Sequence, residues 1–413
     1  MSQPDPCFGS EKMLSADEAR AALVAAAQSV TETESVHLHE ALGRVLAVDV
    51  VSPLDVPGYD NSAMDGYALH SASTAENGAS LPISQRIPAG HPGGQLAAGT
   101  AARIFTGAPM PLGADAVVMQ EECEVEGESV RIGRRIAPGT NMRPRANDIA
   151  SGDCILRAGD KLKPQAVGLL ASLGVAQVEV RRRVRVALLN TGDEIVEPGD
   201  PLAAGQIYNS NRYSLTATLQ QIDCEVIDLG QVEDTFEATR TALLKAAESA
   251  DLILTSGGVS VGEEDHIKAA VESEGAVALW RVRMKPGKPL AFGHVGKTAF
   301  IGLPGNPVSA FVTFSLFAMP FMRVMQGRTK SFPVPSRARL PRAIEKPLAR
   351  REYIRVRLEH QLNDLPIADA FPRQGSDVLT STVWADGVLE IPEGEELAEN
   401  SALNFWSFES LLS

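Results

Sequence analysis

The chain has 413 residues, 44% of them hydrophobic and 22% charged, with a formal net charge of −14 at pH 7. That length exceeds one ordinary core, so about two to four soluble domains are expected. The negative balance excludes a general binder of nucleic acid or of anionic membranes, and any oxyanion ligand must be drawn in by a local basic pocket.

The cysteines Cys7, Cys123, Cys154 and Cys224 form neither a C-x-x-C pair nor a close cluster with histidine. A structural zinc site is therefore not expected, and a reducing, cytoplasmic compartment is. Residues 1–13 read as disordered, with no apolar leader. Ser15 to Glu18 form a capping box ahead of a helix-forming run, Ala19 to Ala27. A second helix signal, Leu38 to Leu46, passes into an extended stretch; the nearby His37 and His39 read as surface or packing residues, not as a metal pair. From Ser52 to about Asn147, Gly and Pro punctuate short alternating runs (Leu81 to Ile87, Thr100 to Phe105, Ala116 to Gln120, Glu122 to Ile132), the pattern of a β-rich domain. Ile149 to Val180 returns to a mixed pattern, helical from Pro164 to Leu173. The β-rich domain, 52–146, is thus read as inserted between two halves of an N-terminal mixed domain, 14–51 and 147–180.

Arg181, Arg182, Arg183 and Arg185 mark the next boundary and read as a solvated edge. Residues 181–328 then alternate strand and helix. Strands are expected at Val184 to Leu189, Glu225 to Leu229, Leu252 to Thr255 and Thr298 to Ile301. Helices are expected at Arg212 to Gln221, Phe236 to Ser249, Glu264 to Glu274 and Pro307 to Met325. This is a βαβ layout with a parallel sheet. Asn306 and Pro307 suit the N-cap and first position of the last helix. Its apolar run, Val308 to Met322, is broken by Thr313, Ser315 and Pro320 and reads as a buried helix too short to span a bilayer. A hairpin-like excursion between Val277 and Phe292 carries Met284-Lys285-Pro286-Gly287-Lys288-Pro289. After a Pro/Ser linker at 331–336, short strands at Tyr353 to Leu358, Val388 to Ile391 and Leu403 to Phe408 suggest a small barrel over 337–413. The expected fold class is α/β multidomain: a central parallel-sheet domain, an inserted β-rich domain and a C-terminal β-barrel.

Three strand-to-helix turns carry the chemistry: Thr191-Gly192-Asp193-Glu194, Thr255-Ser256-Gly257-Gly258-Val259-Ser260, and Pro304-Gly305-Asn306-Pro307-Val308-Ser309. Glycine after a strand lets backbone N–H groups approach an anion closely, and an open α/β sheet places such turns on one edge. Glu194, Asp234 and Asp265 lie on or beside these loops, a pattern that points to metal-assisted chemistry on a phosphorylated ligand. The bland role of Asp265 is to complement a helix dipole. Neither G-x-G-x-x-G nor the Walker lysine is present, against a dinucleotide or P-loop reading. Lys285 and Lys288 bracket Pro-Gly, a turn able to aim two ammonium groups at one anion; its bland reading is a solvated hairpin tip. Pro57 to Tyr67 is dense in polar groups and otherwise reads as a pair of Asx turns. Arg355 and Ser376 are further polar candidates that read equally as surface decoration.

Together these residues resemble one family, molybdopterin molybdenumtransferase, which includes the E domain of gephyrin. Pro57-Gly58-Tyr59-Asp60-Asn61-Ser62-Ala63-Met64-Asp65-Gly66-Tyr67-Ala68 is similar to its N-terminal signature. Thr255 to Gly262 followed by Asp265, then Met284 to Pro289, then Gly302 to Ser309 are similar to its central domain in order and spacing. The resemblance runs from about Leu14 to the C-terminus. It implies four domains and a homodimer whose active site joins one subunit's central domain to its partner's β-rich domain. It implies adenylylated molybdopterin and molybdate as substrates, with AMP leaving in a step that needs Mg²⁺. By position it places functional acids at Asp60, Asp148, Glu194, Asp234 and Asp265, a basic pair at Lys285 and Lys288, and C-terminal contacts at Arg355 and Ser376, with Arg351 a rival to Arg355. Glu194, Asp234 and Asp265 are the expected metal ligands. Thr191, Ser256, Gly257, Gly258, Ser260, Pro304, Gly305, Asn306 and Ser309 are the expected substrate contacts. A separate molybdopterin adenylyltransferase would supply the substrate and molybdoenzymes would accept the product. The alternatives are a gephyrin-like scaffold and an adenylyltransferase on the same central fold; the absence of a long partner-binding linker weighs against the first, the flanking domains against the second.

Overall fold

The computed structural model describes residues 12–74, 79–258 and 266–413. The chain forms two compact units: Met1–Ala47, Gly159–Lys163 and Val178–Ser413 make one, Val48–Ala158 and Pro164–Gln177 the other.

In the larger unit a seven-stranded sheet runs in the order 12–14, 275–282, 289–295, 298–303, 252–256, 185–191, 225–232. The strands Thr298–Leu303, Leu252–Ser256, Arg185–Thr191 and Glu225–Val232 are mutually parallel. Their sequences are continuous apolar runs because both faces are covered. Val186, Leu188, Leu252 and Leu254 pack on one side with Leu23 of helix Ala16–Ala26, Leu215 and Leu219 of helix Ser210–Gln221, and Phe314 and Phe317. Ala187, Leu189 and Ile253 pack on the other with Leu243 of helix Phe236–Ser249 and Ile267 of helix His266–Glu274. Ser15 caps the first of these helices in the expected capping box with Glu18.

Two expectations are corrected and two hold in part. Leu38 to Leu46 is not a helix: only a single 3₁₀ turn, Leu38–Glu40, forms. Val45 and Leu46 instead bridge to Lys161 and Val180, so a tertiary pairing outweighs a modest helix propensity. Lys12 and Met13, read as the end of a disordered tail, belong to an edge strand, Lys12–Leu14, parallel to residues 280–282. The hairpin-like excursion at 277–292 is an antiparallel pair, Gly275–Val282 with Pro289–Val295, and both strands belong to the main sheet. The helix Pro307–Met325 is long and apolar enough by composition to cross a bilayer, yet 89% of that window is buried inside the protein.

At the C-terminal end of the same unit the strands Ser336–Leu340, Arg351–Glu359, Ile367–Ala370, Gly387–Ile391 and Ser401–Ser407 close into a barrel, because Arg351–Glu359 pairs with both 367–370 and 387–391. Arg323, 2% exposed, donates to the main-chain oxygens of Ser410, Leu411 and Ser413. The second unit holds a six-stranded sheet in the order 116–119, 66–69, 101–104, 79–87, 129–132, 123–126, around Leu69, Leu81, Val118 and Ile132.

Candidate functional site

The carboxyl ends of the parallel strands open into a cleft of about 1280 Å³. Each wall follows from a strand end. Thr191 closes strand 185–191, and the Glu194 side chain folds back over Gly192. Strand 225–232 runs out toward Asp234, ahead of the Thr235 cap of the next helix. Strand 252–256 ends in Ser256, which leads into Gly257 and Gly258. Gly258 has φ +63°, and a Cβ there would stand 2.5 Å from Cδ1 of Ile267, so only glycine lets the turn lie flat on the following helix. Strand 298–303 leads into Pro304, Gly305 and Asn306. Asn306 holds the N-cap backbone position of the long helix but makes no side-chain cap bond, leaving its carboxamide available to the cleft.

The opposite wall carries the cations. Lys285 and Lys288 flank Pro286-Gly287 on the cleft. Gly287 has φ +91°, and a Cβ there would fall 2.2 Å from Thr313 Oγ1, so the turn can press against the long helix only as glycine. Lys285 pairs with Glu352 at 3.1 Å. Lys288 and Arg350 are exposed on the cleft and, among the described residues, form no ion pair. The adjacent Arg351 is bound instead to Asp17 and Glu390, both at 2.8 Å, and to Glu393 at 2.9 Å. Burial opposes its charge, but the bonds to Glu393 and Asp17 outweigh it and raise its pKa above the ordinary arginine value.

The structure therefore brings Thr191, Glu194, Asp234, Ser256, Gly257, Gly258, Lys285, Lys288, Pro304, Gly305, Asn306, Ser309 and Ser376 to one cleft. Arg355 is not on its wall. It is 1% exposed, donates to Ser381 Oγ at 3.0 Å and to the Gly375 carbonyl at 2.9 Å, and is clasped by Gln374 through its own backbone N–H and C=O. Burial pulls its pKa down to about 10, still protonated at neutral pH. Its role in the fold is to shape the 374–376 turn, whose Ser376 carbonyl accepts from Val308 N at 3.0 Å. Asp60 and Asp148 lie in the other unit, where Asp60 accepts from Arg145 N at 2.7 Å. Ser260 and Asp265 fall outside the described residues. Among the described residues no group of three or more His, Cys, Asp or Glu stands close enough to hold a metal ion.

Sequence reasoning missed Tyr208, Asn209, Asn211 and Arg350, all on the cleft. Asn209 caps helix Ser210–Gln221 through Arg212 N at 3.2 Å, and its position before a helix was the available signal. Arg350 gave none, being one of several arginines between 337 and 357.

A second, smaller cavity of about 580 Å³ is lined by Glu32, Arg182, Asp251 and Lys297 among others. Its edge holds the amino ends of strands 185–191 and 252–256, where Arg182 donates to Asp251 at 2.8 and 3.0 Å.

An open α/β sheet with a glycine-walled, cation-lined cleft at its carboxyl edge defines a binding domain for an anionic ligand. Comparison with known proteins places the chain further. Residues 14–174 match the family described as MoeA N-terminal region (domain I and II), 187–324 the "Probable molybdopterin binding domain", and 337–408 the MoeA C-terminal region (domain IV). The molybdopterin molybdenumtransferase of Haemophilus influenzae is 43% identical over 318 residues, 76% of this chain and 78% of that one. Molybdopterin molybdenumtransferase 2 of Mycobacterium tuberculosis is 37% identical over 384 residues, covering 90% and 94%. The crystal structure of the molybdopterin biosynthesis MoeA protein from Pyrococcus horikoshii OT3 superposes with a TM-score of 0.83 at 30% identity, over 96% of this chain and 100% of that one. The chain belongs to the molybdopterin molybdenumtransferase family, transferases of molybdenum cofactor biosynthesis.

Proposed function

We propose that the enzyme inserts molybdenum from molybdate into the dithiolene of adenylylated molybdopterin, releasing AMP in a reaction that requires Mg²⁺. The observation that carries this reading is the cleft itself. A chain of net charge −14 keeps Lys288 and Arg350 without ion pairs among the described residues, on a cleft walled by glycine loops at three strand ends. Molybdate and a pyrophosphate both suit such a place, because lysine, arginine, serine hydroxyls and backbone N–H groups bind tetrahedral oxyanions by charge-assisted hydrogen bonds.

The acids suit the ion. Mg²⁺ is usually held by one or two carboxylates together with substrate phosphates, and Glu194 and Asp234 are two carboxylates on one cleft. Asp265 is the third proposed ligand. When bound, Mg²⁺ would supply charge neutralisation on the phosphate oxygens. The chain's own residues do the rest. Lys285, Lys288 and Arg350 offset oxyanion charge, Ser309 and the glycine turns orient the phosphates, Ser256 holds its turn against the Pro304 loop, and Arg355 acts through the turn that presents Ser376.

Asp60 and Asp148 enter the reading through a homodimer in which they serve the partner subunit's cleft. If so, Asp60→Ala and Glu194→Ala, each inactive alone, regain about one working site per mixed dimer, by the two-fold symmetry. The reading also places the enzyme in the cytoplasm, supplied by a separate adenylyltransferase and drained by molybdoenzymes. Its test is direct: the purified protein, given adenylylated molybdopterin, Mg²⁺ and molybdate, should release AMP in proportion to molybdenum incorporated. No AMP release from the folded protein would refute it.

A further inference from the structure

We infer that Asn211 is a positioning residue that ties two loops of the cleft together and sets the direction of the Ser256 hydroxyl. Asn211 sits in the first turn of helix Ser210–Gln221 and is 9% exposed. Its Nδ2 donates to Ser256 Oγ at 2.7 Å and to the Gly305 carbonyl at 2.7 Å. A carbonyl only accepts, so Gly305 fixes which end of the carboxamide faces the loops. Ser256 Oγ then keeps its own proton, which it donates to the Pro304 carbonyl at 3.3 Å. One side chain on a helix thus links the loop after strand 252–256 to the loop after strand 298–303, beside the backbone bond from Gly257 N to Leu303 O at 3.1 Å. A second carboxamide supports the same point from behind, where Asn190 Nδ2 donates to the Ser256 carbonyl at 3.4 Å.

A packing role alone does not account for this residue. Oδ1 of Asn211 is buried without a partner among the described residues, as is Oδ1 of Asn190. An unmet buried acceptor destabilises a fold, and Leu215 and Leu219 on the same helix show that this environment takes apolar side chains. The role left for the asparagine is its two donated bonds, which hold Ser256 and Gly305 in register beside the cleft. Loops fixed in this way present their backbone groups to a ligand already oriented, which lowers the ordering cost of binding.

The first arm of the test is independent of any substrate. In Asn211→Ala, amide hydrogen exchange at Gly257 should quicken about tenfold or more, the scale of one lost hydrogen bond, with strands 185–191 and 298–303 unchanged. Asn211→Ser, too short to span both loops, serves the same test should the alanine variant not fold. Wild-type exchange at Gly257 in a folded variant would overturn the inference. The second arm rests on the function proposed above. Asn211→Ala and Ser256→Ala should each raise KM about tenfold with a smaller change in kcat, and the double variant should be no worse than the worse single one. Losses that multiply would show that Asn211 does not act through Ser256. If the wild type itself shows no turnover, the functional reading fails while the exchange arm still decides the role of Asn211.

Discussion

At the amino ends of the central strands the arginines are matched by carboxylates. Arg182 is bonded to Glu32 and Asp251, Arg183 to Asp223 at 2.7 Å, and Arg185 to Glu225 at 3.3 Å. At the carboxyl ends of the same strands Lys288 and Arg350 stand exposed on a larger cleft and, among the described residues, have no such partner. Both ends carry cations, so charge alone does not mark a site. What distinguishes them is where the opposite charge comes from: the fold supplies it at one end and leaves a ligand to supply it at the other. In the arginine run read from sequence as a solvated edge, Arg183 and Arg185 are exposed as expected, and Arg182, Arg183 and Arg185 also form ion pairs, while Arg181 donates to the carbonyls of Val30 and Thr31.

The contrast can be broken most forcefully at the cleft. Lys288→Ala should remove one charge-assisted contact to an oxyanion, on the order of 1.5–3 kcal/mol, or roughly tenfold to a hundredfold in molybdate use, and Lys285→Ala a smaller share, because Glu352 already pairs with its ammonium. Lys288→Ala should leave the thermal midpoint unchanged, since the side chain is exposed and no ion pair to it forms among the described residues. The reverse pattern is expected at the other end. Arg182→Ala leaves Asp251 without its bidentate partner and should cost about 2 kcal/mol of stability, read by denaturant midpoint, with KM for substrate unaltered. A large change in KM there would dissolve the distinction.

A subtler effect sharpens it. Burial pushes the Asp251 carboxyl up, but the Arg182 bonds and the Arg185 backbone N–H outweigh burial and hold its pKa below the ordinary value of 3.8. A depressed carboxyl contributes stability that is full above that value and lost as pH falls through the lower folded one. Stability of the wild type should therefore fall more steeply below about pH 4 than that of Asp251→Asn, measured by urea unfolding across pH.

Much of this was legible in the sequence, for physical reasons that differ from part to part. The parallel sheet was readable because strands buried on both faces must be apolar at every position, as in Val186 to Leu189 and Leu252 to Leu254. The barrel was readable from short alternating strands, and helix Phe236–Ser249 came out with the bounds expected. The edge strand Lys12–Leu14 and the place of the 275–295 pair inside the main sheet were not, since three residues carry no period and a tight Pro-Gly turn looks the same inside a sheet as outside one. At the cleft, glycine turns and lysines announced themselves by residue type. Asn211 and Arg350 did not, because their meaning lies in contacts made or left open, which no local pattern encodes. Arg355 shows the converse: a charged residue in a strand, and in the structure a buried brace for the 374–376 turn.

The central claim is that the cleft cations left without ion pairs among the described residues are the oxyanion site. The most direct measurement is AMP release from adenylylated molybdopterin as molybdate is raised, compared between wild type, Lys288→Ala and Arg182→Ala. The account predicts saturable molybdate dependence in the wild type, half-saturation shifted roughly tenfold or more upward in Lys288→Ala, and no shift in Arg182→Ala. A molybdate response in Lys288→Ala indistinguishable from wild type, or an equal shift in both variants, would contradict it.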